Sequence, residues 1–243
     1  SQTKLITGTT EYNNIVKIGY NIRDAINVYY ANIGEEDPTE NFQWEFILVD
    51  DDQTINAWCM PGGKIAFYTG ILPIAENNDG VACIMGHEIA HAVARHSAER
   101  MSTAILMDAG TYALEKFVLG QRLPRFSKQL RTYGLDLPFN RSQESEADYL
   151  GIIFSNLAGY NIDESYKIWE RMQEKSGAGP AEFFSTHPSP DNRIKKLKEW
   201  IDTLLTIPFN KYFKIKVKKN FNDFIRYYHF YPNTHSRVKL DQI

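Results

Sequence analysis

The feature that most constrains this chain is a polar cluster inside an apolar helical stretch. Residues 84–94 are apolar or glycine except for three side chains, those of His87, Glu88 and His91. Two histidines four residues apart share one helix face and can bind one tetrahedral metal ion, and the adjacent Glu can reach a metal-bound water. A helix in such apolar surroundings is expected to be buried, and buried imidazoles and carboxylates need partners. A solvent-facing helix is therefore the weaker interpretation, and the cluster predicts a metal site with Glu88 as catalytic base.

A second polar cluster supplies an acidic ligand. A catalytic zinc site takes three protein ligands, and a carboxylate from another helix is one established choice. Glu144 and Asp148 are four residues apart, on one face of a helix that continues through Phe154. Glu144 can bind the metal while Asp148 accepts the imidazole N–H of a histidine ligand. Acidic residues at a helix start also interact with the helix dipole, and we keep that interpretation for Glu146, which lies off this face.

A third cluster surrounds the sequence Thr-His-Pro-Ser-Pro at residues 186–190. Its prolines predict a turn followed by a helix that carries residues 195–205. Spacing alone leaves two interpretations open. His187 and Arg193 are either incidental residues of a helix-start loop or catalytic residues at the metal. In the second case His187 hydrogen-bonds the oxyanion or occupies the open metal position, and Arg193 orients an active-site carboxylate or stabilises developing charge.

Hydrophobic periodicity predicts a mainly helical chain with one small sheet. Helices are expected over about residues 11–32, 80–105, 164–175 and 195–205. Three short runs, residues 44–49, 56–60 and 64–69, predict strands, and Pro-Gly-Gly at residues 61–63 joins the last two. The expected fold class is α+β, with a three-stranded sheet and a long metal-binding helix.

Composition limits the classes of function. With 243 residues, 43% of them hydrophobic, the chain can bury one substantial core. The net charge of -3 gives no general reason to expect nucleic acid as a partner, and no apolar run approaches the roughly 18 residues that span a bilayer. Cys59 and Cys83 stand in apolar surroundings, which favour buried free thiols over a disulfide.

In this order the blocks resemble a family of zinc endopeptidases that includes the heat-shock membrane protease HtpX, the CAAX prenyl endopeptidases, and periplasmic and mitochondrial quality-control proteases. Residues 87–91 resemble its HExxH motif, residues 141–148 its SRxxExEAD block with Arg and Ser in reverse order, and residues 187–193 its HPxxxxR block. Residues 56–65 resemble its NAxxxPGG segment, so the likeness covers about residues 40–205. The resemblance implies a gluzincin-type fold, one Zn²⁺ on His87, His91 and Glu144, Glu88 as base, and polypeptide substrates.

The resemblance also bears on location. Membrane-embedded members of the family carry several spanning helices, and this sequence has none, which favours the soluble or lipid-anchored periplasmic branch and makes prenylated substrates unexpected. The sequence begins Ser-Gln-Thr without a basic and apolar leader. We therefore expect that any signal peptide or lipid-anchored start lies outside it, and that the protein is extracytoplasmic, periplasmic or peripherally attached to a membrane.

The implied reaction is hydrolysis of peptide bonds in unfolded or misassembled proteins, by a water that the metal acidifies and Glu88 deprotonates. The strand after the Pro-Gly-Gly turn is expected to be a sheet edge that pairs with an extended substrate, which makes Gly63, Lys64, Ile65, Ala66 and Phe67 substrate-binding residues. The alternative is a latent or inactive zinc-stabilised binding or chaperone-like protein, in which His187 fills the fourth metal position.

Two further segments are interpreted from composition. Residues 1–206 are expected to form the metallopeptidase domain, and residues 207–243 a basic, aromatic extension packed on the core with its lysines in solvent. Contact of this extension with acidic lipid headgroups or with a partner is the alternative. Residues 119–140 are either a mobile lid over the cleft or an ordinary connector.

Overall fold

The computed structural model describes residues 4–99, 139–175, 183, 186, 187 and 192–206. The predicted extension at 207–243 and nearly all of the predicted lid at 119–140 lie outside these residues, so both stay predictions. The described elements, in chain order, are β1 (Leu5–Ile6), α1 (Thr10–Ile33), β2 (Glu45–Val49), β3 (Ala57–Met60), β4 (Lys64–Tyr68), a 3-10 turn (Thr69–Ile71), α2 (Leu72–Ala75), α3 (Asn78–Val93), α4 (Arg141–Leu157), α5 (Glu164–Lys175) and α6 (Arg193–Thr206).

Local chemistry fixes both ends of α1. The Thr9 side chain accepts a hydrogen bond from the Tyr12 backbone N–H, and Gly34 ends the helix at a φ of 73°, a left-handed conformation that glycine adopts without strain. Between these caps a stripe of isoleucines, among them Ile18 and Ile22, is buried in the core. The helix predicted over about residues 11–32 is confirmed.

The sheet has four strands in the order β1-β2-β4-β3. The three predicted strands are present, and the additional strand is the short β1, which pairs antiparallel with the outer side of β2. The strand β4 pairs in parallel with β2 and antiparallel with β3. The α+β fold class is thus confirmed, with one strand more than expected.

The position of β4 corrects the predicted substrate edge. Because β4 lies between two strands, its backbone groups are hydrogen-bonded inside the sheet, and Gly63 is also engaged through its N–H to Met60 and its C=O to Glu45. The side chains of Ile65, Ala66 and Phe67 are 0% exposed. The prediction that Gly63, Lys64, Ile65, Ala66 and Phe67 form a sheet edge is therefore wrong. The edge on this side is β3, which packs beside α3.

The metal-binding helix is shorter than predicted. It begins after Asn77, whose side chain accepts from the Gly80 N–H, and ends at Val93 rather than near residue 105. Arg95 has a φ of 61°, a left-handed conformation that breaks the helix, and a new helical turn starts at residues 96–99. Nothing in the local sequence marks this break, because Arg is an ordinary helix former.

Helices α3 and α4 cross with their backbones in near contact. A Cβ atom on Gly86 would lie 2.7 Å from the Gly151 carbonyl oxygen, and one on Gly151 would lie 2.8 Å from the His87 nitrogen. The side chain of Ser155 secures the crossing with a 3.0 Å hydrogen bond to the Ala82 carbonyl. The crossing brings the first turns of α4 against the middle of α3, where the predicted ligands lie.

Replacing Gly151 with Ala is expected to lower the free energy of unfolding by about 1–3 kcal/mol, the usual effect of overpacking a core. The new methyl group meets backbone atoms that cannot rotate away, and this outweighs the higher helix propensity of Ala. Urea denaturation measures the change. Asn156→Ala, at a half-exposed position of the same helix, is the control and should shift stability by less than about 0.5 kcal/mol. A Gly151→Ala protein as stable as wild type would contradict the close crossing.

Two other expectations concern side chains and membranes. Cys59 and Cys83 are both buried and unbridged, as predicted. In the portion of the chain that the structure describes, none of the helices has the length and apolar character required to cross a bilayer.

Candidate metal centre

Four buried side chains from three parts of the chain point at one another. His87 and His91 come from α3, Glu144 from the first turn of α4, and His187 from the segment before α6. Each offers one ligand atom, and these atoms all lie within 4.8 Å of one another. Among the described residues this is the one such cluster of potential metal ligands. The structure thus brings the three predicted ligands together with His187, which the sequence offered either as an incidental loop residue or as a residue at the metal.

The spacing of the ligand atoms matches a tetrahedral ion. The Nε2 atoms of His87 and His91 are 3.1 Å apart, and His91 Nε2 is 3.3 Å from Glu144 Oε1. The Nδ1 atom of His187 lies 3.3 Å from His87 Nε2 and 3.0 Å from Glu144 Oε1. Atoms bound at 2.0–2.1 Å around tetrahedral zinc are about 3.3 Å apart. The residues present therefore fit a tetrahedral ion of this size.

The protonation of His91 also suits a metal. Burial, together with the charges of His87 and His187, holds the pKa of His91 well below its usual range, although Glu144 opposes this shift. At neutral pH the ring is therefore uncharged and one of its nitrogens carries a lone pair, as a metal ligand requires.

Arg193 holds two carboxylates of the site. Its Nε and Nη2 donate to the two oxygens of Asp148 at 2.7 and 2.6 Å, and its Nη1 lies 2.8 Å from Glu144 Oε2. Burial alone would raise the pKa values of both carboxyl groups, but the neighbouring cations overcome it. The charges of His187 and Arg193 hold the pKa of Glu144 well below its usual range, and Arg193 lowers that of Asp148. Both groups stay ionised, and the guanidinium itself packs over the Trp169 ring at 3.8 Å.

Asp148 also contacts the first histidine, as the sequence predicted. Its Oδ1 lies 3.0 Å from His87 Nδ1, the ring nitrogen that faces away from the other ligands. This contact places the proton of a neutral His87 on Nδ1 and leaves Nε2 with a lone pair. Glu88 is 2% exposed, and its Oε1 lies 3.4 Å from His187 Nε2. His187 thus lies between Glu144 on one side and Glu88 on the other.

Backbone hydrogen bonds and the Phe183 ring fix His187. Its N–H donates to the Phe183 carbonyl at 2.8 Å, and the Phe139 N–H donates to the Thr186 carbonyl at 3.0 Å. Phe183 stacks on the His187 ring at a centroid distance of 4.5 Å, while Phe139 stacks on His91 at 3.7 Å. Burial lowers the pKa of His187, but the charges of Glu144 and Glu88 more than offset this, so that the pKa lies above its usual value.

Sequence reasoning missed His96 and its contact with Glu146. The Nδ1 of His96 lies 3.0 Å from His91 Nδ1, and its Nε2 lies 3.2 Å from Glu146 Oε2. On an unbroken helix His96 would stand about 140° around the axis from His91 and could not reach it. Only the left-handed conformation at Arg95 brings the two rings together, and the sequence carries no signal for it.

Comparisons with known proteins agree with the site. The model of "Peptidase family M48" matches residues 21–201. The mitochondrial metalloendopeptidase OMA1 of Schizosaccharomyces pombe is 39% identical over 164 residues, which are 66% of this chain and 48% of that protein. The human metalloendopeptidase OMA1, mitochondrial, is 32% identical over 66% of this chain and 33% of its own length. The beta-barrel assembly-enhancing protease of Escherichia coli is 28% identical over 62% of this chain and 33% of its length.

These comparisons bear on the length of the chain and on its predicted location. The chain spans about half the length, or less, of the curated relatives that it matches. The predicted extracytoplasmic, periplasmic location is wrong, because the relatives with the higher identities, from fission yeast, budding yeast, Arabidopsis thaliana and human, are named as mitochondrial.

Proposed function

Because this chain belongs to peptidase family M48, as its sequence blocks predicted, we propose that it is a zinc-dependent endopeptidase. The observation that supports this most strongly is the convergence of His87, His91 and Glu144 with Glu88 alongside. A structural metal site needs no further carboxylate, whereas activation of a water for hydrolysis does. Zinc is proposed over other ions because imidazoles with one carboxylate at tetrahedral spacing are donors that it favours.

We assign the proton transfers to Glu88. A zinc ion held by His87, His91 and Glu144 would supply Lewis-acid chemistry, which polarises a peptide carbonyl and acidifies a water. The carboxylate of Glu88 accepts the proton that the water loses as it attacks, and then delivers it to the leaving amine nitrogen. Its burial keeps this proton from bulk solvent during the reaction.

His187 and Arg193 act differently in this proposal. The Nε2 side of His187 faces Glu88, and nearby carboxylates raise the pKa of the ring, so it can donate to the oxygen that becomes negative when the carbonyl is attacked. Arg193 touches Glu144 and Asp148, so it positions the ligand helix and keeps both carboxylates ionised. We propose His187 as a catalytic residue and Arg193 as a positioning residue.

We propose that an extended substrate pairs with the outer edge of β3. The Tyr68 N–H donates to the Asn56 carbonyl, and pairing alternates along antiparallel strands, so the backbone groups of Ala57 and Cys59 point away from β4. The Ala57 N–H already donates to the Asn56 side chain at 2.9 Å. We therefore propose that the substrate pairs mainly with the backbone groups of Cys59. Strand β3 packs beside α3, the helix that carries the proposed base Glu88. In line with this, burial and then the charge of Glu88 raise the pKa of the Cys59 thiol well above its usual value.

A second candidate function is a latent or inactive zinc-stabilised binding protein. The observation in its favour is the position of His187 Nδ1, 3.3 Å from His87 Nε2 and 3.0 Å from Glu144 Oε1, where it can act as a fourth ligand. A site with four protein ligands has no position for water. The segment that carries His187 would then have to move before any peptide could be cleaved.

Metal removal tests the first proposal against the second. Casein, an unfolded substrate, is incubated with protein stripped by a chelator and then with the same protein reloaded with one equivalent of Zn²⁺. We expect cleavage after reloading and none before it. Mg²⁺ is the matched control, since this hard ion prefers oxygen ligands and should not restore activity. Circular dichroism shows whether the stripped protein stays folded.

Each outcome separates the candidates. Cleavage that is unchanged after metal removal would reject the metallopeptidase proposal. Failure of folded, zinc-loaded protein to cleave casein would favour the latent or binding role. If another first-row metal ion restored casein cleavage to a higher rate than zinc does, that ion would be assigned as the native metal instead of zinc.

Three broader points stay proposals. Unfolded or misassembled proteins are proposed as the substrates, in line with a quality-control role. The two-part organisation, with a catalytic unit at 1–206 and an extension at 207–243, and peripheral attachment to a membrane are proposed from the sequence. The net charge of -3 continues to give no reason to propose nucleic acid as a partner.

A further inference from the structure

Two residues outside the predicted ligand set form a chain of contacts behind His91. The ring of His96 is 3% exposed, and its Nδ1 lies 3.0 Å from His91 Nδ1. Its other nitrogen, Nε2, lies 3.2 Å from the carboxylate of Glu146 on α4. The Nε2 of His91 faces the other ligands, so His96 contacts the opposite edge of that ring.

The protonation states along this chain follow from one condition. A neutral His91 that offers the Nε2 lone pair to a metal must carry its proton on Nδ1. That N–H then donates to His96 Nδ1, which must hold a lone pair. The proton of a neutral His96 is therefore on Nε2, from which it donates to Glu146. One arrangement of protons satisfies every contact.

We propose that His96 and Glu146 are positioning residues that hold His91 in the tautomer and orientation needed to bind the metal. This inference rests on the metal site of the proposed function. His87 has the same support in a shorter form, since its Nδ1 contacts Asp148 directly at 3.0 Å. Each of the two histidine ligands is thus connected to a carboxylate of α4. His87 contacts Asp148 directly, whereas His91 is connected to Glu146 through His96.

A second contact supports the assignment of the segment after α3 to this role. The side chain of Gln143 donates to Glu99 at 2.9 Å, one helical turn beyond His96. Gln143 also closes the capping box of α4 with Asn140. The helical turn at residues 96–99 is thus fastened to α4 on both sides of Glu144, by Gln143 and by Glu146. This fixes His96 relative to both ligand helices.

A packing role is the competing explanation, because His96 lies 6.3 Å from the Phe139 ring in a buried position. Two substitutions separate the explanations. His96→Phe keeps an aromatic ring but cannot accept the His91 N–H. His96→Asn loses the ring but places an amide oxygen near the position of Nδ1, where it can accept. A hydrogen-bond role and a packing role predict opposite orders of effect.

The measurement is the zinc dissociation constant, determined by competition with a chromophoric chelator on folded protein. We expect His96→Phe to bind zinc about 10- to 100-fold more weakly than wild type, the usual effect of losing such support, and His96→Asn to stay within about threefold. Glu146→Ala, at a partly exposed site that tolerates substitution, should weaken binding by at least about threefold. If His96→Phe does not fold, the zinc affinity of Glu146→Ala tests the positioning role instead.

The outcomes keep the two proposals apart. Wild-type protein that binds no zinc would reject the proposed metal site itself. Tight binding by wild type, with His96→Phe and Glu146→Ala both unaffected, would overturn the positioning role alone. If His96→Asn bound zinc more weakly than His96→Phe, the role of His96 would be packing, and the positioning role would again be overturned.

Discussion

Replacing Glu88 with Gln is expected to lower kcat/KM for casein or peptide hydrolysis by about 10³-fold, within the range for loss of a general base. The amide has the shape of the carboxylate but cannot take a proton from water at neutral pH. Zinc content should not change, because the ligand atoms belong to His87, His91 and Glu144. The measurements are steady-state cleavage rates and bound zinc per chain on the same preparations.

The control for this variant is Glu36→Gln, an identical change at an exposed position, which should leave cleavage unchanged. Folding is checked by thermal unfolding, since Glu88 is buried against His187. A zinc-loaded, folded Glu88→Gln protein with activity within tenfold of wild type would remove Glu88 from the role of base. Another group would then have to accept the proton.

Replacing Arg193 with Met is expected to lower the free energy of unfolding of the metal-free protein by about 3–5 kcal/mol, as for removal of one partner from a buried ion pair. The guanidinium is 2% exposed and contacts two carboxylates, and Met fills most of its volume without charge. The negative charges of Glu144 and Asp148 would then repel each other in a buried site, without the guanidinium that pairs with both. Bound zinc should recover part of the loss, because it supplies positive charge beside Glu144.

Chemical denaturation with and without zinc measures both effects. Lys195→Met, an exposed position on the same helix, is the control and should change stability by less than about 0.5 kcal/mol. The free energy of unfolding of Arg193→Lys should lie between those of wild type and Arg193→Met, because lysine keeps the charge but loses the paired contacts with Asp148. An Arg193→Met protein within 1 kcal/mol of wild type would show that the two carboxylates do not depend on this cation.

Sequence patterns predicted those parts of the molecule that depend on local spacing. The isoleucine stripe of α1 follows from helical periodicity, and the convergence of His87, His91 and Glu144 follows from the need of buried polar groups for partners. Asp148 could be placed behind one of the ligand histidines for the same reason, because four residues on a helix face fix its relation to Glu144. The structure identifies that histidine as His87.

The errors arose where the outcome depends on contacts that are distant in sequence. The segment 64–68 has the pattern of a strand, but strand order is set by the parallel pairing with β2, which no local pattern reports. The contact between Glu146 and His96 has no signal in the sequence, because His96 reaches Glu146 only through the left-handed turn at Arg95. The position of His187, whose role the sequence left open, depends on backbone hydrogen bonds that spacing does not encode. These run from the His187 N–H to the Phe183 carbonyl and from the Phe139 N–H to the Thr186 carbonyl.

The close crossing at Gly86 and Gly151 has a consequence for the geometry of the candidate metal centre. Hard-sphere contact between two backbones, rather than compressible side chains, sets the distance between the helix that carries both histidines and the helix that carries Glu144. The two helices therefore cannot move closer together, and the contacts of Gln143 and Glu146 with the helical turn at residues 96–99, which follows α3, restrain them from separating. Two glycines that are not themselves candidate ligands therefore help to set the spacing between the histidines of α3 and the carboxylate of Glu144.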